Sequence, residues 1–297
     1  MKLRAYAKLN LYLEVLNRRP DNYHSIESIF HTISLCDFIT LTPHKSDILF
    51  ECNWKELPVD EKNLAVRAAL RLREALGITK GARIRLEKNI PLGAGLGGGS
   101  SDAAAVLKGL LKLWKAELSQ KKLRALAAGL GADVPFFLSG GTALVQGIGE
   151  KVRSLQGVKP ACFLLIYPRV AVPTAKVYQR LRFPLPHAAG AQYANRNQGT
   201  SPLTNKQKIT KMKILLTSGK SSPQWGKYLF NRLEEAVLPY YPQVMQARSV
   251  LHENGYPCIM SGSGSTVFAV IPSLREARGL QAKLRQYPWD IRIARSV

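Results

Sequence analysis

The stretch that most constrains this chain is Pro91-Leu-Gly-Ala-Gly-Leu-Gly-Gly-Gly-Ser-Ser-Asp-Ala-Ala-Ala105. Five of its first nine residues are glycine, two serines and an aspartate follow, and an alanine-rich run of helical character comes next. Glycine lets a backbone turn through positive φ and approach a ligand closely. The start of a helix presents unpaired N–H groups and the positive end of the macrodipole. A glycine loop feeding a helix start is therefore an anion cradle, most often for phosphate, and we read this one as holding the phosphates of a nucleotide.

Two familiar phosphate loops do not fit. Gly93-x-Gly95-x-x-Gly98 matches the dinucleotide fingerprint, but that fold needs a strand ending in an acidic residue about 20 residues on. That distance falls at Trp114 to Glu117, and another helical pattern follows. A Walker A loop needs Lys-Ser/Thr after its last glycine, whereas Gly99 is followed by Ser100-Ser101. The loop keeps backbone donors and two hydroxyls. Ser100 or Ser101 can cap the helix, bind a phosphate oxygen or reach Mg²⁺.

The chain has 297 residues, 46% of them hydrophobic, enough for one large or two medium domains. Its 43 Lys and Arg against 20 Asp and Glu give a net charge of +23. Such a balance suits a polyanionic partner or, because the charges are scattered, a solvated surface. The clearest cluster, Lys206, Lys208, Lys211 and Lys213 with Lys220 beyond, carries no interleaved aromatics of the kind that stack bases, so no nucleic-acid partner is expected. Cys36, Cys52, Cys162 and Cys258 form no CxxC pair and read as reduced, part-buried thiols. Asn10 and Glu14 break the N-terminal apolar run, which is not a signal peptide, and no run is long enough to span a bilayer. A cytoplasmic protein with no membrane partner is expected.

Along the chain, Leu9, Leu11, Leu13 and Val15 share one face of a strand over 3–16, with Lys8 and Asn10 on the other. A turn at 17–22 precedes Tyr23-His24 and an apolar stretch to Leu35. Short strands are expected at 38–42, ended by Pro43, and at 47–51. Leu64, Ala68, Leu72 and Leu76 mark a helix ending at Gly77, and Ala82, Ile84 and Leu86 a strand leading into the glycine loop. Helices are expected from Ser100 or Ser101 to Lys115 and from Ser119 to Gly129, a turn at 131–135, a strand at 142–146 and a turn at 147–150. A domain change falls near 154–160, dividing the chain into 1–157 and 158–297. The second part reads as a strand at 161–167, a helix at 173–181, a long loop at 183–205, and helices at 206–217, 227–238 and 241–254. Strands at 257–260 and 266–271, a helix at 273–286 and a strand at 290–295 complete it. That order suits an α+β layer with helices on one face of an antiparallel sheet. Ser261-Gly-Ser-Gly-Ser265 joins two of these strands, either as a tight hairpin or as a second wall of the phosphate cleft.

Taken together, these motifs resemble the GHMP small-molecule kinases (galacto-, homoserine, mevalonate and phosphomevalonate kinases). The glycine loop with its Ser-Ser-Asp-Ala-Ala extension resembles their ATP-binding signature. Ala7-Lys-Leu-Asn-Leu11, Tyr23-His24, Gly131-Ala-Asp-Val-Pro-Phe136 and Ser261-Gly-Ser-Gly-Ser265 agree in order and spacing, and Asn231-x-Leu-Glu234 is similar, with Arg232 where the family has Asp. Nearly the whole chain is covered. The resemblance implies a two-domain α+β GHMP kinase fold, with an N-terminal domain like a ribosomal-protein module and a ferredoxin-like C-terminal domain. It also implies phosphoryl transfer from ATP, with Mg²⁺, to an alcohol.

Site residues follow from the same resemblance. Asp133 would take the hydroxyl proton, and Lys8 beside it would keep it ionised and neutralise developing charge. Read alone, the first is a turn carboxylate and the second a solvated strand lysine. Pro91, Gly93, Ala94, Gly95, Leu96, Gly97, Gly98, Gly99, Ser100 and Ser101 would grip ATP, with Asn63 and Lys88 near the adenine. The loop extension is closest to a member whose small-molecule substrate carries a cytidine diphosphate head. Asn10 would orient that substrate, Tyr23, His24 and Tyr178 would enclose its cytosine, and Thr174 would contact phosphate or ribose. His24 as a structural histidine and Tyr178 as a core residue are the plain alternatives. The family's Asp-Gly-Tyr-His is here Asp21-Asn22-Tyr23-His24, and Asn tolerates the left-handed turn. A monomer or homodimer is expected. The rivals are a mevalonate- or homoserine-type kinase, a basic nucleic-acid-binding protein and a catalytically dead regulatory homologue. The basic segment 183–220 is less familiar.

Overall fold

The alternation at the N-terminus becomes a long strand, β1 (Lys2–Arg18), in the computed structural model, which describes residues 1–181, 204–218 and 222–297. Asn22 supplies the left-handed turn residue (φ 65°). The chain then returns antiparallel as β2 (His24–His44). The expected apolar stretch and the strand at 38–42 are thus one 21-residue strand, and Pro43 does not end it. By Pro43 the β1 ladder has run out, since Lys2 pairs with Thr40, so the missing N–H interrupts nothing on that side.

β3 (Ile48–Cys52) leads to α1 (Leu64–Leu76), which Gly77 closes in the left-handed conformation (φ 62°). Then follow β4 (Gly81–Glu87), the glycine loop and α2 (Gly98–Trp114). The helix begins earlier than expected. Gly97 (φ 71°) is its N-cap, and neither Ser100 nor Ser101 caps it. α3 (Gln120–Leu130) starts at its expected cap, Ser119, whose side chain accepts from Lys122 N–H. The expected turn at 131–135 opens a short helix, α4 (Val134–Ser139). A hairpin of β5 (Thr142–Gly147) and β6 (Lys151–Ser154) follows, β6 being a strand the sequence pattern did not signal. β2 is long enough to pair with β5 through 26–31 and with β4 through 38–44 along one edge. α1, α2 and α3 cover this sheet through Leu72, Leu107 and Leu123, packed on Leu41, Ile84 and Leu86. Each such fully buried side chain contributes roughly 1.5–3 kcal/mol.

The second half of the chain contains β7 (Cys162–Tyr167), α5 (Thr174–Gln179), α6 (Asn205–Thr217), a 3₁₀ turn at 222–228, β8 (Phe230–Asn231), α7 (Glu234–Val237), α8 (Pro242–Glu253), β9 (Cys258–Met260), β10 (Val267–Ile271), α9 (Leu274–Lys283) and β11 (Asp290–Arg295). The expected loop at 183–205 lies almost wholly outside the described residues. Strands run in the order β11-β7-β10-β9, all antiparallel, the arrangement of a ferredoxin-like layer. Leu164 and Ile166 of β7 face α5, α8 and α9, whereas Phe163 and Leu165 face the first sheet, where they meet Leu9 and Ile29.

Of the expected helix at 227–238 only α7 (Glu234–Val237) forms. Two-residue β8 instead adds parallel to β1, so a strand of the second half completes the first sheet. Its cause is Asn231, whose buried amide donates to Met260 C=O and Gly262 C=O and accepts from Leu233 N–H. Such side-chain bonds to the backbone outcompete a helix ladder.

Candidate active site

Between the two layers lies a cleft of about 930 Å³, at the upper end for a small-molecule site. One wall is the glycine loop, every residue from Pro91 to Ser100. The facing wall is the turn at Gly262 and Ser263 with α5. Among the described residues no protein group bonds the N–H groups of Gly98, Gly99 or Ser100. They form the open positive end of a 17-residue helix, suited to anionic oxygens.

The two glycine segments meet directly. Ser261 Oγ donates to Gly95 C=O at 3.0 Å. Lys8 lies under both. A Cβ on Gly97 would come 3.2 Å from Lys8 Cε, and one on Gly262 would come 3.3 Å from its Nζ. The Lys8 backbone N–H donates to Leu96 C=O at 3.0 Å, fastening β1 to the loop. Its ammonium, 4% exposed, donates to Asn10 Oδ1 at 2.5 Å, lies 3.6 Å from Asp133 Oδ2 and sits 4.6 Å from the Phe30 ring centre. Burial pulls the Lys8 pKa below its usual value, and the charge of Asp133 works against that fall. Asn10 is held in turn by donating to Ser28 Oγ.

Asp133 stands at the N-terminus of α4 without using its carboxylate as a cap, and its side chain is 29% exposed to the cleft. The turn-carboxylate reading fails on that point. The solvated-lysine reading of Lys8 fails on burial. Tyr23, His24, Thr174 and Tyr178 line the same cleft. The His24 and Tyr178 rings stand 5.0 Å apart, and Thr174 Oγ1 hydrogen-bonds Ser263 Oγ at 2.8 Å. Burial, and secondarily the charge of Asp133, pushes the Tyr178 phenol well above its usual range. It stays a neutral donor with a flat apolar face.

Three expected ATP residues are placed differently. Ser101 Oγ is turned away, donating to Tyr6 C=O at 2.6 Å, which leaves Ser100 as the hydroxyl in the cleft. Asn63 lies outside the cleft lining. It caps α1 by accepting from Ala65 N–H and donates to Pro58 C=O. Lys88 does line the cleft, but its ammonium is tied to two buried carboxylates, Asp37 and Asp102. Burial opposes its charge, and Asp102 and Asp37 more than offset this, so its pKa is raised.

Sequence reasoning missed the supports. Asn231 and Glu234, read only as a motif, hold the second glycine turn through Gly262 C=O and Met260 N–H. Asp37 carried no signal at all, because its partners lie 51–53 residues away.

The family model described as "GHMP kinases N terminal domain" matches residues 63–141, and that described as "GHMP kinases C terminal" matches 216–288. A 4-diphosphocytidyl-2-C-methyl-D-erythritol kinase of Caldicellulosiruptor bescii is 37% identical over 98% of this chain and 96% of its own. One of Carboxydothermus hydrogenoformans is 39% identical over 96% and 93%. A crystal structure of 4-(cytidine 5'-diphospho)-2C-methyl-D-erythritol kinase superposes with a TM-score of 0.78 at 35% identity, covering 99% of this chain and 98% of that one. A homoserine kinase from Cytophaga hutchinsonii shares the fold, with a TM-score of 0.71 at 20% identity over 100% and 94%.

Proposed function

The chain belongs to the 4-diphosphocytidyl-2-C-methyl-D-erythritol kinases of the GHMP family, and from that premise we propose how its cleft works. The enzyme is an ATP-dependent small-molecule kinase. It transfers the γ-phosphoryl group of ATP to the 2-hydroxyl of 4-diphosphocytidyl-2-C-methyl-D-erythritol, a step of non-mevalonate isoprenoid precursor synthesis. The observation that carries the mechanism is the Lys8–Asp133 pair, 3.6 Å apart beneath both glycine segments.

In this reading, Asp133 accepts the proton as the substrate hydroxyl oxygen attacks the γ-phosphorus, and ADP leaves with the electrons of the broken P–O bond. General-base assistance of this kind supplies about 10²–10⁴-fold. Lys8, largely buried in the cleft wall and fixed by Asn10, offers preorganised positive charge to the transferring group. The free amides at the start of α2 receive the triphosphate oxygens. His24 and Tyr178 give the cytosine a flat pocket, and Thr174 with Ser263 presents hydroxyls to the diphosphate or ribose. Phosphoryl transfer asks little more of a protein than such positioning and charge.

Mg²⁺ fits this site in a limited way. Among the described residues no three His, Cys, Asp or Glu side chains cluster as a cage. Ser100 and oxygen donors of the nucleotide itself would hold it, which suits an ion that keeps its waters and rides on phosphates. When bound it supplies charge neutralisation of the phosphate oxygens.

The test is ATP consumption with 4-diphosphocytidyl-2-C-methyl-D-erythritol beside mevalonate and homoserine. Turnover is expected with the cytidine compound alone. Equal turnover of mevalonate would remove the substrate assignment.

A further inference from the structure

Lys88, Asn89 and Ile90 carry the chain from the end of β4 to Pro91, and they belong to no strand or helix. Their backbone groups are nevertheless held, by side chains. Lys88 N–H donates to Asn53 Oδ1 at 2.7 Å, and its C=O accepts from Asn53 Nδ2 at 3.3 Å. Asn89 C=O accepts from Arg292 at 2.6 Å. The two remaining donors, Asn89 N–H and Ile90 N–H, converge on Asp37 Oδ1 at 2.6 and 2.7 Å. The ladder between β2 and β4 stops at the pair Phe38–Glu87, and Asp37 is the next residue along β2. Its carboxylate therefore takes up the hydrogen bonding where the strand pairing ends.

The other oxygen of Asp37 accepts from the Lys88 ammonium at 2.5 Å, and the same ammonium donates to Asp102 Oδ2 at 2.7 Å. That ammonium lies against the helix start, since a Cβ on Gly98 would approach it to 2.9 Å. The two carboxylates look alike but are not equivalent. Asp37, wholly buried, uses both oxygens and satisfies three donors. Asp102 accepts from Lys88 through Oδ2, its buried Oδ1 has no hydrogen-bond partner, and burial together with the neighbouring Asp37 pushes its carboxyl above the usual range.

We propose that Asp37 is the positioning residue of the glycine loop. It fixes the path of residues 88–90, and so the direction from which the loop amides face the triphosphate, while Asp102 bonds the Lys88 ammonium and none of that backbone. The proposal rests on the ATP reading of the cleft given above.

The test compares Asp37→Asn with Asp102→Asn in the full chain, by steady-state kinetics for both substrates and by direct ATP binding. An asparagine at position 37 has one acceptor oxygen. If it stays on the two amides, its NH₂ faces the Lys88 ammonium, and the reverse orientation leaves the amides facing donors. The expected result is a rise of about tenfold or more in the KM and Kd for ATP, with the KM for the cytidine substrate within about twofold. Asp102→Asn keeps an acceptor for Lys88 and leaves the Asn89 and Ile90 amides on Asp37, so the KM for ATP should rise less than in Asp37→Asn. Equal effects of the two substitutions, or an equal rise in both KM values for Asp37→Asn, would overturn the proposal. If Asp37→Asn does not fold, amide hydrogen exchange on the nucleotide-free wild type decides. Protected Asn89 and Ile90 amides support the clamp, and exchange at open-loop rates defeats it. A wild type that binds ATP but does not phosphorylate the cytidine substrate would sink the substrate assignment while leaving the ATP-binding comparison intact.

Discussion

A lysine opposite the apolar face of an N-terminal strand would ordinarily extend into water. Lys8 cannot, because the first sheet is covered on both faces and two glycine segments close over its end. Asn10, Asp133 and the Phe30 ring offset the cost of burying its charge, and removing one member of such a buried set leaves the rest uncompensated. Asp133→Asn keeps size and shape and removes the base. We expect turnover to fall by about 10²–10⁴-fold, with direct ATP binding changed by less than about threefold. Lys8→Met, which leaves Asp133 without its cation, should lower turnover similarly. Retained turnover in either folded variant would remove the pair from the chemistry. The identity of these two residues was legible only in the set of motifs, since singly each had a plain structural reading. Asp37 and Asn231 were not legible, because their roles consist of bonds to distant backbone, and no local spacing marks such a bond.

The elements carry a second lesson about glycine. The glycine-rich stretches announced flexibility and close approach, and the structure separates those two uses. At Gly95 both apply, for its φ is +73° and a Cβ would fall 2.0 Å from Ser261 C=O. Gly129, inside α3, faces open space with nothing within 4 Å. Gly95→Ala should therefore cost roughly 2–4 kcal/mol in urea unfolding, strain and overpacking together, and should impair ATP binding by pushing the two walls apart. Gly129→Ala should stabilise the protein by about 0.5–1 kcal/mol and leave kinetics unchanged. Similar unfolding midpoints for the two variants would refute the loop contact. Periodicity captured α1, α3, α8 and α9 because each has one apolar face and a legible start, a capping side chain at Asn63, Ser119 and Ser273 and Pro242 opening α8. It failed at 227–238, where Asn231 draws the chain into β8, and at 38–44, where pairing partners rather than Pro43 decide how far β2 runs.

At the scale of the whole molecule, the two layers are joined by a buried histidine the mechanism does not use. His31 on β2 bonds Thr142 Oγ1 of β5 at 2.7 Å through Nδ1, and Ser296 Oγ at 2.8 Å through Nε2. Ser296 Oγ also accepts from Ala161 N–H, just before β7, at 2.8 Å. The ring packs against Phe163 and Trp225. Burial lowers its pKa to about 4, from an ordinary value of 6.5. The sign follows from this depression. In the folded state His31 is neutral at pH 7, while the unfolded chain begins to take up its proton near pH 6.5. The stabilisation is complete above that pH, declines as pH falls, and is fully lost below about 4, where the folded ring must also charge. The span of 6.5 to about 4 corresponds to roughly 3 kcal/mol at most. His31→Gln retains a donor and an acceptor but cannot titrate. The variant should be less stable than wild type at pH 7, and the gap should close by up to about 3 kcal/mol between pH 7 and 4 in urea unfolding followed by circular dichroism. Carboxylates that titrate in this range do so in both proteins and cancel in the difference. A gap that stays constant over those pH values would show that the junction between the layers does not depend on the neutral imidazole.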